Sequence, residues 1–130
     1  MEITERVQHN LSCIRMVAGW SQTDVARMLY LSRSEVAHIE SGRSKLSNEN
    51  CQEILYRYDY EMNSDPANKE IMKCALDTLV YEDGDIEGDA LHTIMVSHRR
   101  TIGSSKGMKK IREEMLSKIG EIIFNGRVNE

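Results

Sequence analysis

The sequence lacks most of the marks that would assign it a chemistry. Its three cysteines, Cys13, Cys51 and Cys74, are odd in number and widely spaced, with no C-x-x-C pair. That excludes a disulfide frame or a zinc site and leaves them as reduced, buried small apolar residues. There is no run of about 18 apolar residues and no charged-then-apolar leader, so neither a membrane helix nor a signal peptide is expected and the chain is placed in the cytoplasm. No G-x-S-x-G, Walker-type loop or H-E-x-x-H occurs, and no serine has a recognisable base partner, so no enzyme and no cofactor are expected.

Metal sites are missing too. His92 and His98 stand six apart, out of phase for one helix face, with no completing ligand. Asp83 to Gly88 opens like a calcium-binding loop, but Ile94 stands at the twelfth position, where a glutamate should hold the ion through both oxygens. A solvated acidic loop between helices is the reading there. Nor is there a surplus of positive charge: 17 basic against 21 acidic residues give a net charge of −4, shared evenly as −2 in residues 1 to 64 and −2 in 65 to 130. Any anionic partner must therefore be met by a local face.

What is present centres on residues 21 to 42. Two capping boxes, Ser21 with Asp24 and Ser32 with Glu35, begin two short helices eleven residues apart, which leaves room for about two helical turns and a turn of about three residues. Val25, Ala26 and Leu29 form an inward stripe on the first, and Val36 and Ile39 on the second, expected to run about ten residues to Gly42. Ser34, Ala37, His38 and Ser41 point away from that stripe, with Arg33 at the N-terminal tip. Arg27, Arg43 and Lys45 cluster around the pair, while Asp24 and Glu35 turn to backbone amides. The arrangement reads as a DNA-reading unit.

Around it, Val7, Leu11, Ile14 and Ala18 predict a first helix from Glu5 to Ala18, closed by Gly19. Ser47 caps a helix with Cys51, Ile54, Leu55 and Tyr58 on one face, and Tyr60 and Met62 suggest a short further turn. Tyr56, Tyr58 and Tyr60 are read as packing residues. Asn63, Ser64, Asp65 and Pro66 mark a boundary, with a new helix expected to begin there.

Three stripes follow: Ile71 to Val80, Leu91 to His98, and Met108 to Ile123. They predict a three-helix unit whose apolar faces are too wide for its size and need either the first half or a second subunit. The fold class is thus all-α, with a four- to five-helix domain at 1–62 and a helical dimerisation or interaction region at 63–130. The run from Arg99 to Arg112 holds six basic residues and no acid, and is either a solvated face or a phosphate patch.

From Leu11, Ile14 and Arg15 through Gly19, Ser21-Gln22, Val25-Ala26, Leu29, Leu31-Ser32, Ile39-Glu40, Gly42, Ser47 and Ile54, the sequence resembles the phage-repressor-like, or XRE, helix-turn-helix domains over about half its length. Tyr30, Leu46 and Val36 depart from the pattern. Tyr30 stands where a glycine usually ends the first motif helix, and a tyrosine at positive φ would cost about 1 kcal/mol, so a slightly different turn is expected.

The resemblance implies a salt bridge between Arg15 and Glu40. It also implies base contacts from Arg33, Ser34 and His38, and phosphate contacts from Gln22, Arg43 and Lys45. The function it implies is a sequence-specific regulator, a repressor, acting as a homodimer through 63–130 on palindromic double-stranded DNA. The alternative is a protein-binding module on the same fold, such as an antitoxin or a phage-borne inhibitor of another protein.

Overall fold

The computed structural model describes residues 2–81 and 108–128, and among them every regular element is helical. Seven α-helices are described: α1 (Ile3–His9), α2 (Leu11–Ala18), α3 (Gln22–Leu29), α4 (Arg33–Glu40), α5 (Asn48–Asn63), α6 (Lys69–Leu76) and α7 (Met108–Val128). A π-helical turn, Asp77–Tyr81, extends α6. The stripe from Leu91 to His98, the acidic segment from Asp83 to Gly88 and the basic residues from Arg99 to Lys106 lie outside the described residues. No described helix is long and apolar enough to cross a membrane, and no described group of His, Cys, Asp and Glu is placed to hold a metal ion.

The expected first helix is broken in two at Asn10, which sits at φ −106° and ψ 16°. Asparagine competes with helical backbone through its own side chain, and here that side chain donates to the Leu79 carbonyl at 3.0 Å. At the other end Gly19 takes φ 84°. A β-carbon there would also meet Arg112 Cδ at 3.1 Å, so both the backbone conformation and the close approach of Arg112 favour glycine.

Both capping boxes of the motif are formed: Ser21 and Ser32 accept from the amides of Asp24 and Glu35, and the two acids accept in return from the serine amides. The turn between α3 and α4 has the left-handed residue that the motif requires, and Tyr30 supplies it at φ 55° and ψ 40°. The tyrosine thus bears the strain and the turn is not rebuilt around it. Helix α4 has eight residues, two fewer than expected, because Ser41 already leaves the helix ahead of Gly42 at φ 82°.

Helix α5 starts on Ser47, whose hydroxyl accepts from the Asn50 amide at 3.1 Å. It continues unbroken to Asn63, so Tyr60 and Met62 belong to its last turns rather than to a separate one. Of the three tyrosines only Tyr58 is packed; Tyr56 and Tyr60 are 72% and 67% exposed. Ser64 closes α5 rather than opening the next helix, its hydroxyl donating to the Tyr60 carbonyl at 2.8 Å. Pro66 lies in the turn that follows, and α6 begins only at Lys69. The reason is local: Asp65 accepts from the Asn68 side chain at 2.9 Å and from its backbone at 3.1 Å, which closes a turn before helical bonding can start.

One core runs through both halves of the chain. Leu11, Ile14, Val17, Val25, Val36, Ile54 and Tyr58 are joined in it by Met72, Ala75, Leu79, Val80, Met115, Leu116 and Ile119. The described apolar residues of α6 and α7 are therefore covered by the first half. Polar contacts fix the join: Tyr58 Oη donates to the Met72 carbonyl at 2.6 Å, and Arg112 Nε donates to the Val17 carbonyl at 2.9 Å.

Arg112 Nη2 also reaches Asp65 at 3.3 Å. The Asn68 amide and then this guanidinium hold the Asp65 carboxyl below the usual carboxylate range, so its contribution is complete near neutral pH and fades as pH falls through the lowered value. Cys13, Cys51 and Cys74 are buried and form no disulfide, and burial pushes the Cys13 thiol up to about 12. Such thiols are inert.

Candidate nucleic-acid interface

Helix α4 presents two faces of different chemistry. Val36 and Ile39 are buried, whereas Arg33, Ser34 and His38 are exposed. With α3 and α1 packed behind it, the apolar stripe fixes the rotation of α4 about its axis, and so decides which side chains are left to a partner.

Its tip is held from inside. Arg15 is 2% exposed, and its Nε donates to Glu40 Oε1 at 2.5 Å, with a longer second bond from Nη2 to Oε2. Gln22, on the first turn of α3, donates through Nε2 to Glu40 Oε2 at 3.0 Å. Its other atom, Oε1, accepts from Arg33 Nε at 3.4 Å. A chain of polar contacts thus runs from the buried Arg15 through Glu40 and Gln22 to the exposed Arg33. Because Arg33 engages through Nε, its two terminal nitrogens remain available for a fork-shaped contact.

The loop after α4 is held by a residue the sequence did not single out. Gln8 of α1 donates to the carbonyls of Ile39 and Ser44, at 3.0 and 2.7 Å, and accepts from the Leu46 amide at 3.0 Å. The amides of Arg43 and Ser44 also turn back to the His38 carbonyl, at 2.8 and 3.2 Å. Arg43 and Lys45 are therefore exposed on a loop with a fixed backbone. No spacing pattern marks Gln8, since a glutamine beside Val7 reads as a solvated helix position.

The charge of this face differs from that of the whole chain. Arg27, Arg33, Arg43 and Lys45 are exposed around α3 and α4, while the carboxylates of Asp24 and Glu35 accept from capping amides and that of Glu40 pairs with Arg15. Of the basic run from Arg99 to Arg112, Lys109 and Lys110 are exposed, but Arg112 is turned inward on Val17 and Asp65 and is a fastening between α7 and the first half.

Two capped helices joined by a left-handed turn, the second carrying an exposed polar and basic face, form a DNA-binding helix-turn-helix of the kind found in transcription regulators. Residues 14–63 match the helix-turn-helix family model, consistent with a phage-repressor-like, XRE-type helix-turn-helix domain in that part of the chain. No curated protein and no solved structure matches the chain.

Proposed function

We propose that the protein is a sequence-specific transcriptional regulator, a cytoplasmic repressor that acts by binding and not by catalysis, and that it binds as a homodimer to a two-fold symmetric operator. The observation that carries this reading is the exposed tip of α4. Arg33 is steadied there by Gln22 and, through Glu40, by the buried Arg15, while the nearby acids are already engaged. A protein-binding module would want an apolar or acidic face at this place, and apart from Tyr30 and Glu35, the latter engaged with a capping amide, the exposed side chains include Arg33, Ser34, His38, Arg43 and Lys45.

In this reading Arg33 meets guanine through its terminal nitrogens, Ser34 and His38 meet neighbouring base edges, and Gln22, Arg43 and Lys45 hold phosphates. Three base-reading side chains discriminate too little to find one site in a genome, because a good base contact contributes only about 1–3 kcal/mol. Two copies double the readout. Pairing is assigned to residues 63–130, using surfaces other than the inward-facing residues of α6 and α7.

Two substitutions separate reading from holding. Arg33→Ala should weaken the preferred site by about 1–3 kcal/mol and relax preference at one base pair per half-site. Gln22→Ala should weaken all duplexes by a similar factor through its phosphate contact, with some added loss of preference because it also steadies Arg33. Competition binding with preferred and scrambled duplexes measures both. If folded Arg33→Ala keeps the parent's ratio between the two, α4 is not the reader.

A further inference from the structure

We propose that Tyr30 is a contact to the DNA backbone, its phenol donating a hydrogen bond to a phosphate at the edge of the half-site that α4 reads. The inference rests on the DNA-binding reading of α4 and extends it to a residue at which the sequence departs from the family pattern.

Two observations converge on this side chain. Tyr30 is the one non-glycine residue at positive φ among the described residues, whereas the chain places glycines, Gly19 and Gly42, at the ends of α2 and α4 where the same backbone conformation occurs. A tyrosine there is strained relative to glycine, because its β-carbon crowds the neighbouring carbonyl. Nothing inside the fold offsets that strain, since the side chain is 95% exposed. A large aromatic group kept in strained backbone and almost wholly in solvent gains nothing from folding, and a strained residue of that kind points to use by a partner.

The position identifies the partner's chemistry. Tyr30 stands in the turn between α3 and α4, two residues before the Ser32 cap and three before Arg33. Exposed Arg27 and Arg33 bracket it in sequence, and its amide donates to the Arg27 carbonyl. A phenol with an exposed cation three residues to either side along the chain suits an anion that accepts hydrogen bonds, as a phosphodiester does. The other strongly exposed tyrosines, Tyr56 and Tyr60, lie within regular helix α5 and carry no such strain.

The test compares full-length parent, Tyr30→Gly and Tyr30→Phe in thermal melts and in binding to the preferred duplex and a scrambled one. Tyr30→Gly should melt higher than the parent, because the strain is relieved, yet bind both duplexes about two- to tenfold more weakly, the range of one hydrogen bond. Tyr30→Phe should melt like the parent and lose the same factor, which places the effect on the hydroxyl. Unchanged affinity in either variant overturns the proposal, and a loss confined to the preferred duplex overturns it by making Tyr30 a base reader. A parent that discriminates between duplexes while the Tyr30 variants bind as it does leaves the reading of α4 standing; a parent that binds no duplex removes both.

Discussion

Replacing Glu40 with alanine should lower the stability of the folded chain by about 3–5 kcal/mol, the loss expected when one member of a buried ion pair is removed. Arg15 is 2% exposed, and without Glu40 its remaining contact is a 3.4 Å bond from Nη1 to the Trp20 carbonyl. The cation would be left desolvated and underpaired. Glu40→Gln should lose less, because an amide oxygen can still accept from Arg15. The damage also travels outward: Gln22 loses its acceptor, and Arg33 loses the fixed group it leans on. Chemical denaturation of parent and variants measures the difference. A loss below about 1 kcal/mol, the value of an exposed pair, would mean that the pair is not buried in solution.

Ending the chain after Asn63 should be at least as damaging. A self-sufficient helix-turn-helix domain would survive the cut, but Tyr58 and Val17 are closed over by α6 and α7 through the Met72 carbonyl and Arg112. Burial of a large apolar side chain contributes about 1.5–3 kcal/mol, so uncovering even these two removes much of the roughly 5–15 kcal/mol that holds an ordinary domain together. The fragment should be largely unfolded or melt far below the full chain, as circular dichroism would follow. A fragment that melts cooperatively at the full-length temperature would make α6 and α7 appendages rather than parts of the core.

The sequence and the structure agree best where the signal is local. The two capping boxes, the stripes of Val25 and Leu29 and of Val36 and Ile39, and the left-handed glycines depend on neighbours within about four residues, and all are found in place. The all-helical class followed from the same periodicity. What could not be read depends on partners distant along the chain. Asn10 breaks the first helix where its side chain meets Leu79, 69 residues away, and Arg112 turns inward to meet Val17 across 95 residues. Pro66 misled for a different and local reason, since the turn that delays α6 is closed by Asp65 and Asn68, three residues apart, and not by the proline ring.

The exposure of Arg33, Ser34 and His38 on α4 was legible because an inward stripe implies an outward one. Their support was less so. The link from Glu40 through Gln22 to Arg33, and the hold of Gln8 on the loop of Arg43 and Lys45, arise from the packing of α1, α3 and α4 together. Tyr30 lies between these cases. The sequence raised the strain of a tyrosine at that turn, and the structure places the residue in that strained conformation with its ring in solvent.

Selection of bound sequences from random duplex DNA by the full-length protein tests the central claim most directly. A homodimer that reads through α4 should enrich a two-fold symmetric site with a guanine in each half, and a parallel selection with Arg33→Ala should keep the symmetry but lose preference at that base pair. A parent that enriches no sequence over the starting pool would contradict that claim.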